Sequence, residues 1–252
     1  LQEATPAQKA RKKEGRSTVG LIQCPSYDED IFQAVKPYLA SLALPDLKGK
    51  TVVIKPNMVE FHPVSPITTN PKAIFAAVQL ADYLGAKEVI IGEGPGHMRD
   101  TEFLLEASGI GKMCKTHKLR YVDLNLDDLE KVENVDGFSK LKTFYLPKTI
   151  MHADAVISVP KMKTHHWVGM TASMKNLFGT VPGRKYGWPK NVLHLNGIPH
   201  CILDLVNMVK PQIAFVDAIV AMEGDGPIMG TAKNTGFIAI GTDLADWQAD
   251  LA

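Results

Sequence analysis

Lys161, Lys163, Thr164 and His165 crowd into five residues, and Lys175 and Asn176 follow shortly after. From Ala155 to Leu203 there is no Asp or Glu, although the chain holds 27. The same 49 residues carry six Lys/Arg (Lys161, Lys163, Lys175, Arg184, Lys185, Lys190) and four of the eight histidines. Cations at the end of a central strand need a counter-charge, either from elsewhere in the fold or from a ligand. The block therefore predicts a small anionic ligand, a carboxylate or a phosphate. Any one of these lysines could equally be a solvated surface group. It is the exclusion of acids from the whole block that points to a site.

Acid/base chemistry is the reaction class these residue types suit. His165 or His194 beside a carboxylate supplies a proton donor or acceptor, and Lys163 does so if neighbouring cations depress its pKa. Lys163, His165 and Glu223 form the candidate catalytic set, for lyase- or isomerase-type chemistry. No GxSxG elbow occurs, and Cys114 and Cys201 lack the context of a catalytic dyad, which argues against serine- or cysteine-type hydrolysis.

Other polar groups sit where strands end. Lys55-Pro56-Asn57 presents a fixed cation after a β-branched run. Thr68, Thr69 and Asn70 stand at a helix start, where the dipole favours an anion; ordinary capping is the alternative. Glu93 lies in a loop with glycines at 92, 94 and 96, whose backbone N–H groups could approach an anion closely, or which simply turn the chain tightly. The candidate ligand-binding set is Lys55, Asn57, Thr69, Glu93, Gly94, Lys161, Thr164, Lys175 and Asn176. Asp217, Glu223 and Asp225 fall within nine residues and could ligate a divalent cation such as Mg²⁺. Direct pairing with the basic block is the preferred alternative, and a histidine-based transition-metal site is a third.

The elements that must hold these groups alternate. Strand patterns at Val19–Gln23, Thr51–Ile54, Val89–Ile91, Ala155–Val159, Ile213–Ala221 and Phe237–Ile240 are separated by helical stripes, one of them capped by Asn70 with Pro71 at its first position. The segment 125–148 is irregular and rich in charge, which suggests an insertion or hairpin ending at Phe144–Pro147, and Pro160 to His166 reads as a turn. The prediction is an α/β fold with a mainly parallel sheet, helices on both faces, and a polar cleft at the carboxyl ends of the strands.

VPKMKTH, then SMKNLFGTVPG, then a downstream His resembles the family called domain of unknown function 362. VVIKPNMV, TTNP, IGEGPG and VDAIVAMEGDGPIMG match its pattern on either side. The resemblance covers roughly residues 18–243 and implies one α/β domain over 18–252. The family pattern continues past Gly241-Thr242-Asp243 through an alanine-rich helix, whereas here the remainder is LADWQADLA, so the C-terminal end is expected to be truncated or divergent. Proteins of this family often carry ferredoxin-like domains. That implies a second reading, a non-catalytic binding or redox-accessory protein acting beside an iron–sulfur partner.

Composition narrows the field further. A net charge of +1 and a pI near 7.9 argue against nucleic-acid binding. No apolar run reaches membrane-span length, leaving a soluble chain that is cytoplasmic or exported after loss of a signal. Cys24, Cys114 and Cys201 are too dispersed to ligate an iron–sulfur cluster. Residues 1–17, with five Lys/Arg and no apolar period, read as a disordered tail or linker.

Overall fold

The computed structural model describes residues 18–135 and 137–242. The expected basic tail and the divergent C-terminal stretch lie outside the described residues.

Eleven strands are described: β1 Val19–Gln23, β2 Thr51–Pro56, β3 Glu88–Glu93, β4 Arg120–Asp123, β5 Leu129–Glu133, β6 Thr143–Pro147, β7 Ala155–Val159, β8 Lys161–His165, β9 Gly169–Thr171, β10 Ile213–Glu223 and β11 Thr231–Gly241. One sheet runs in the order β1-β11-β10-β7-β2-β3-β4, with β8 beside β10 and β9 folded back on β8. β10, β7, β2, β3 and β4 are mutually parallel, and β11 is antiparallel to both its neighbours. This is the α/β class with a large, mainly parallel sheet. The charged segment before β7 contributes a separate antiparallel pair, β5 with β6.

Apolar runs without alternation build the middle of this sheet because both of its faces are covered. Successive residues point to opposite sides. Val52, Ile54, Ile157 and Phe215 pack into one core, while Val53, Val156, Ala214 and Val216 pack into the other. The first core is closed by helix Pro71–Tyr83, through Ala73, Ala76, Ala77 and Leu80. Asn70 Oδ1 caps that helix by accepting the Lys72 N–H at 2.9 Å. The second core is closed by helix Ile198–Val209, through Cys201, Ile202 and Leu205.

Two elements differ from the sequence reading. Residues 161–165 are a strand rather than a turn. Pro160 has no N–H to donate, and the ladder along β10 breaks between Ala214 and Asp217. It resumes with Lys161 opposite Asp217, and the Asp217 N–H donates to the Pro160 carbonyl at 2.9 Å. The other difference is β11, which starts at Thr231 rather than Phe237. Its exposed first half has no apolar signature and is held by pairing with Val220–Glu223 of β10.

Candidate functional site

A cavity of about 720 Å³ opens among the segments that follow β2 and β3, strand β8, the short helix Ser173–Asn176, and the stretch 189–194. Of the sequence candidates, Asn57, Glu93, Gly94, Lys163, His165, Lys175 and Asn176 line it, as does Asp225 of the candidate metal set. Lys190, His194, Trp167 and Phe178 line it as well.

An ion pair lies behind its wall, with Glu93 in the lining. Lys55 Nζ is 2.7 Å from Glu93 Oε2 and also donates to the Pro56 carbonyl at 2.8 Å and Asn176 Oδ1 at 3.3 Å. Glu93 accepts two further bonds, from the Met58 and Gly94 N–H groups. Burial pushes this carboxyl up and this amine down, against the mutual attraction that keeps both charged. Asn176 Nδ2 ties the arrangement to the Lys55 carbonyl and to Ser158 Oγ. Lys55 itself is fully buried and lies outside the cavity lining. Gly94 and Gly179 seal this wall backbone to backbone. A Cβ on Gly94 would stand 2.8 Å from the Gly179 carbonyl, and one on Gly179 would sit 2.6 Å from Lys55 Nζ.

Glu93 is thus already neutralised, and the remaining cations of the cavity are not. Lys163 Nζ donates to the Ile67 carbonyl at 2.7 Å. Burial first, then Lys175 and Lys161, hold its amine well below the usual lysine range. Burial, reinforced by Lys55, lowers Lys175 to about 7. Among the described residues the Lys175 ammonium has neither an ion pair nor a hydrogen bond. It lies 4.0 Å from the Phe178 ring centroid. Lys190, also lowered to about 7 mainly by burial, donates to Asn125 Oδ1 and the Val181 carbonyl.

The histidines are neutral and differ in tautomer. His165 is lowered to about 3 by burial and then by Lys175. Its Nδ1 accepts the Trp167 N–H at 3.2 Å, which places the ring proton on Nε2. His194, also lowered by burial, has Nδ1 2.9 Å from the Lys190 carbonyl. A carbonyl only accepts, so Nδ1 carries the proton and Nε2 keeps its lone pair. Asn57 Oδ1 is buried with no partner among the described residues.

Other candidates lie elsewhere. Lys161 Nζ bonds Asp217 Oδ2 at 2.5 Å and Tyr27 Oη at 2.6 Å, and Asp217 also accepts the Asn70 N–H. Thr69 Oγ1 bridges the Val159 carbonyl and the Asn57 N–H. Thr164 Oγ1 donates to the Gly224 carbonyl. Glu223 is exposed at the end of β10, 3.4 Å from Lys233. Asp217 is thereby separated from Glu223 and Asp225, and among the described residues no three His, Cys, Asp or Glu side chains converge as a metal site.

Sequence reasoning passed over Lys190 and Trp167 as site residues. Lys190 was visible as a cation inside the acid-free block, and Trp167 as the third ring of the run His165-His166-Trp167. Only the fold brings them to one cavity.

The model of the family described as Domain of unknown function (DUF362) matches residues 52–247. The chain belongs to this family. Every residue lining the cavity lies inside the DUF362 match. A thylakoid-associated protein of Synechocystis sp. is 28% identical over 199 residues, covering 78% of this chain. The DUF362 chain spans about 60% of the length of that relative. A solved lactate racemase apoprotein from Thermoanaerobacterium thermosaccharolyticum superimposes with a TM-score of 0.51 at 15% identity, over 85% of this chain and 53% of the racemase. That likeness is one of fold. No described helix is long and apolar enough to cross a membrane.

Proposed function

We propose that this DUF362 chain binds a small anionic ligand, a carboxylate or phosphate, beyond the carboxyl ends of β2 and β3, and moves a proton on it as an isomerase or lyase does. The observation that carries the reading is Lys175, an amine in the cavity wall with no carboxylate partner among the described residues and with the amines of Lys163 and Lys190 lining the same cavity. Such clustering is unfavourable in the empty protein and is relieved by a bound negative charge.

The neighbouring groups divide the remaining tasks. Lys163 and Lys175 pair the ligand's charge. His194 Nε2 is the proton acceptor, so it takes the part that Glu223 was expected to play, while the neutral His165 polarises the ligand by a hydrogen bond from Nε2–H without giving up that proton. Lys175, titrating near neutrality, can hold or release a proton at working pH. The unpartnered Asn57 Oδ1 suits a hydroxyl on the ligand. A 2-hydroxy carboxylate meets both demands, and the fold shared with a lactate racemase is consistent with that class.

Thermal unfolding tests this, with acetate, lactate or phosphate added at matched ionic strength. The expected result is a rise in Tm for the wild type, about 2.7 kcal/mol of added stability at a hundredfold excess over Kd, and little rise for Lys175→Met. A wild type indifferent to all three anions removes the reading.

A further inference from the structure

The site's size and walls point beyond a small anion. A cavity near 720 Å³ falls in the range that takes a drug-sized molecule. Acetate or phosphate bound at Lys163 and Lys175 leaves most of it empty, and what remains is lined by rings beside aliphatic groups such as Met58, Val59 and Ile228. Phe178 meets His194 edge-on with centroids 5.7 Å apart, and His194 meets Trp167 at 4.8 Å. Because His165 and His194 stay neutral, these imidazoles present aromatic faces rather than charges. Trp167 and Met229, both lining the cavity, stand 59% and 80% exposed. Large apolar side chains left in water at the mouth of a cationic cavity fit a ligand that covers them.

We infer that the ligand is an aromatic acid, its carboxylate or phosphate end held by Lys163 and Lys175 and a planar ring system borne on that end lying against Trp167 and His194. This rests on the anion reading above and adds the ring subsite. Phosphate or acetate alone would then occupy only the inner end.

Calorimetric titration with three probes separates the two ideas: acetate, 2-naphthoate and the neutral 2-naphthamide. Naphthoate is expected to bind at least about tenfold more tightly than acetate. Trp167→Ala should weaken naphthoate about fivefold, the range of one aromatic contact, while leaving acetate within about twofold. The exposure of Trp167 makes this variant safe for folding. Equal affinity for acetate and naphthoate, or a Trp167→Ala variant that binds naphthoate as well as the wild type, overturns the ring subsite and leaves the anion reading standing. Naphthamide binding as tightly as naphthoate overturns the anion reading, and the aromatic acid with it. Failure of all three probes does the same.

Discussion

Lys161 and Lys163 leave the same face of one strand and end in different surroundings. Lys161 Nζ lies 2.5 Å from Asp217 Oδ2, whereas among the described residues Lys163 Nζ reaches only the Ile67 carbonyl, at 2.7 Å, and lines the cavity. The register of β8 on β10 sets the difference, because it places Asp217 directly opposite Lys161. One amine is internally neutralised, and the other has no carboxylate partner among the described residues.

Substituting the paired and unpaired lysines should therefore have opposite effects on stability. Lys161→Met strands the buried Asp217 carboxylate and should cost roughly 3–5 kcal/mol, toward the lower end because Tyr27 and Asn70 still donate to it. Lys175→Met removes an amine that has no counter-charge among the described residues, and should be neutral or stabilising in anion-free buffer. Urea unfolding of both variants decides it; equal losses would mean that Lys175 is as structural as Lys161.

Anion affinity should fall as pH rises. Lys175 and Lys190 titrate near 7 in the empty protein, and a bound anion favours their charged forms. Below about pH 7 both are already protonated and binding is strongest. Above it, each proton that must be taken up weakens affinity by about tenfold per pH unit, until the bound-state pKa is passed. Calorimetry with a sulfonate ligand, in two buffers of different ionisation enthalpy, should show proton uptake at pH 8 and much less at pH 6. A flat profile from pH 6 to 9 would contradict the role of these amines.

Stability of the empty protein should change with pH in two windows. Lys175 has a folded pKa near 7, below the unfolded lysine value of about 10.4, so between them the unfolded chain binds more protons and stability rises with pH. His165, near 3 when folded and about 6.5 when unfolded, makes stability rise with pH across that lower range also. Saturating phosphate should flatten the alkaline window, where Lys175 would stay charged, and Lys175→Met should remove that residue's share of it. Chemical denaturation at pH steps from 4 to 10 reads both windows, and a decline in stability from pH 7 to 9 would reverse the sign argued here.

Much of the scaffold was legible because it depends on short-range signals. An apolar run at Val52–Ile54 and a mostly apolar one at Ala155–Val159 pointed to a sheet covered on both faces, and Asn70-Pro71 announced a helix start. The acid-free block announced a cation-rich site. What stayed hidden depends on partners distant in sequence. Asp217 lies 56 residues from Lys161, and only strand register brings them together. Glu223 looked like a site residue because it follows a buried strand, but β10 runs on until it carries Glu223 into solvent. The buried alternation of Lys161, Lys163 and His165 with Met162 and Thr164 was a strand signal masked by the charge of those side chains.

The contact between Gly94 and Gly179 limits how this cavity can diversify. With backbone against backbone over the Lys55–Glu93 pair, neither position admits even a methyl group without displacing that wall. The deep end is in effect a fixed die. A related chain that accepts a different molecule has to be recut at the mouth, where Trp167 and Met229 can be exchanged with little consequence for folding. On the proposed reading, head-group chemistry and body shape are thus set by different parts of the chain, and mutation can explore the second while the first stands still.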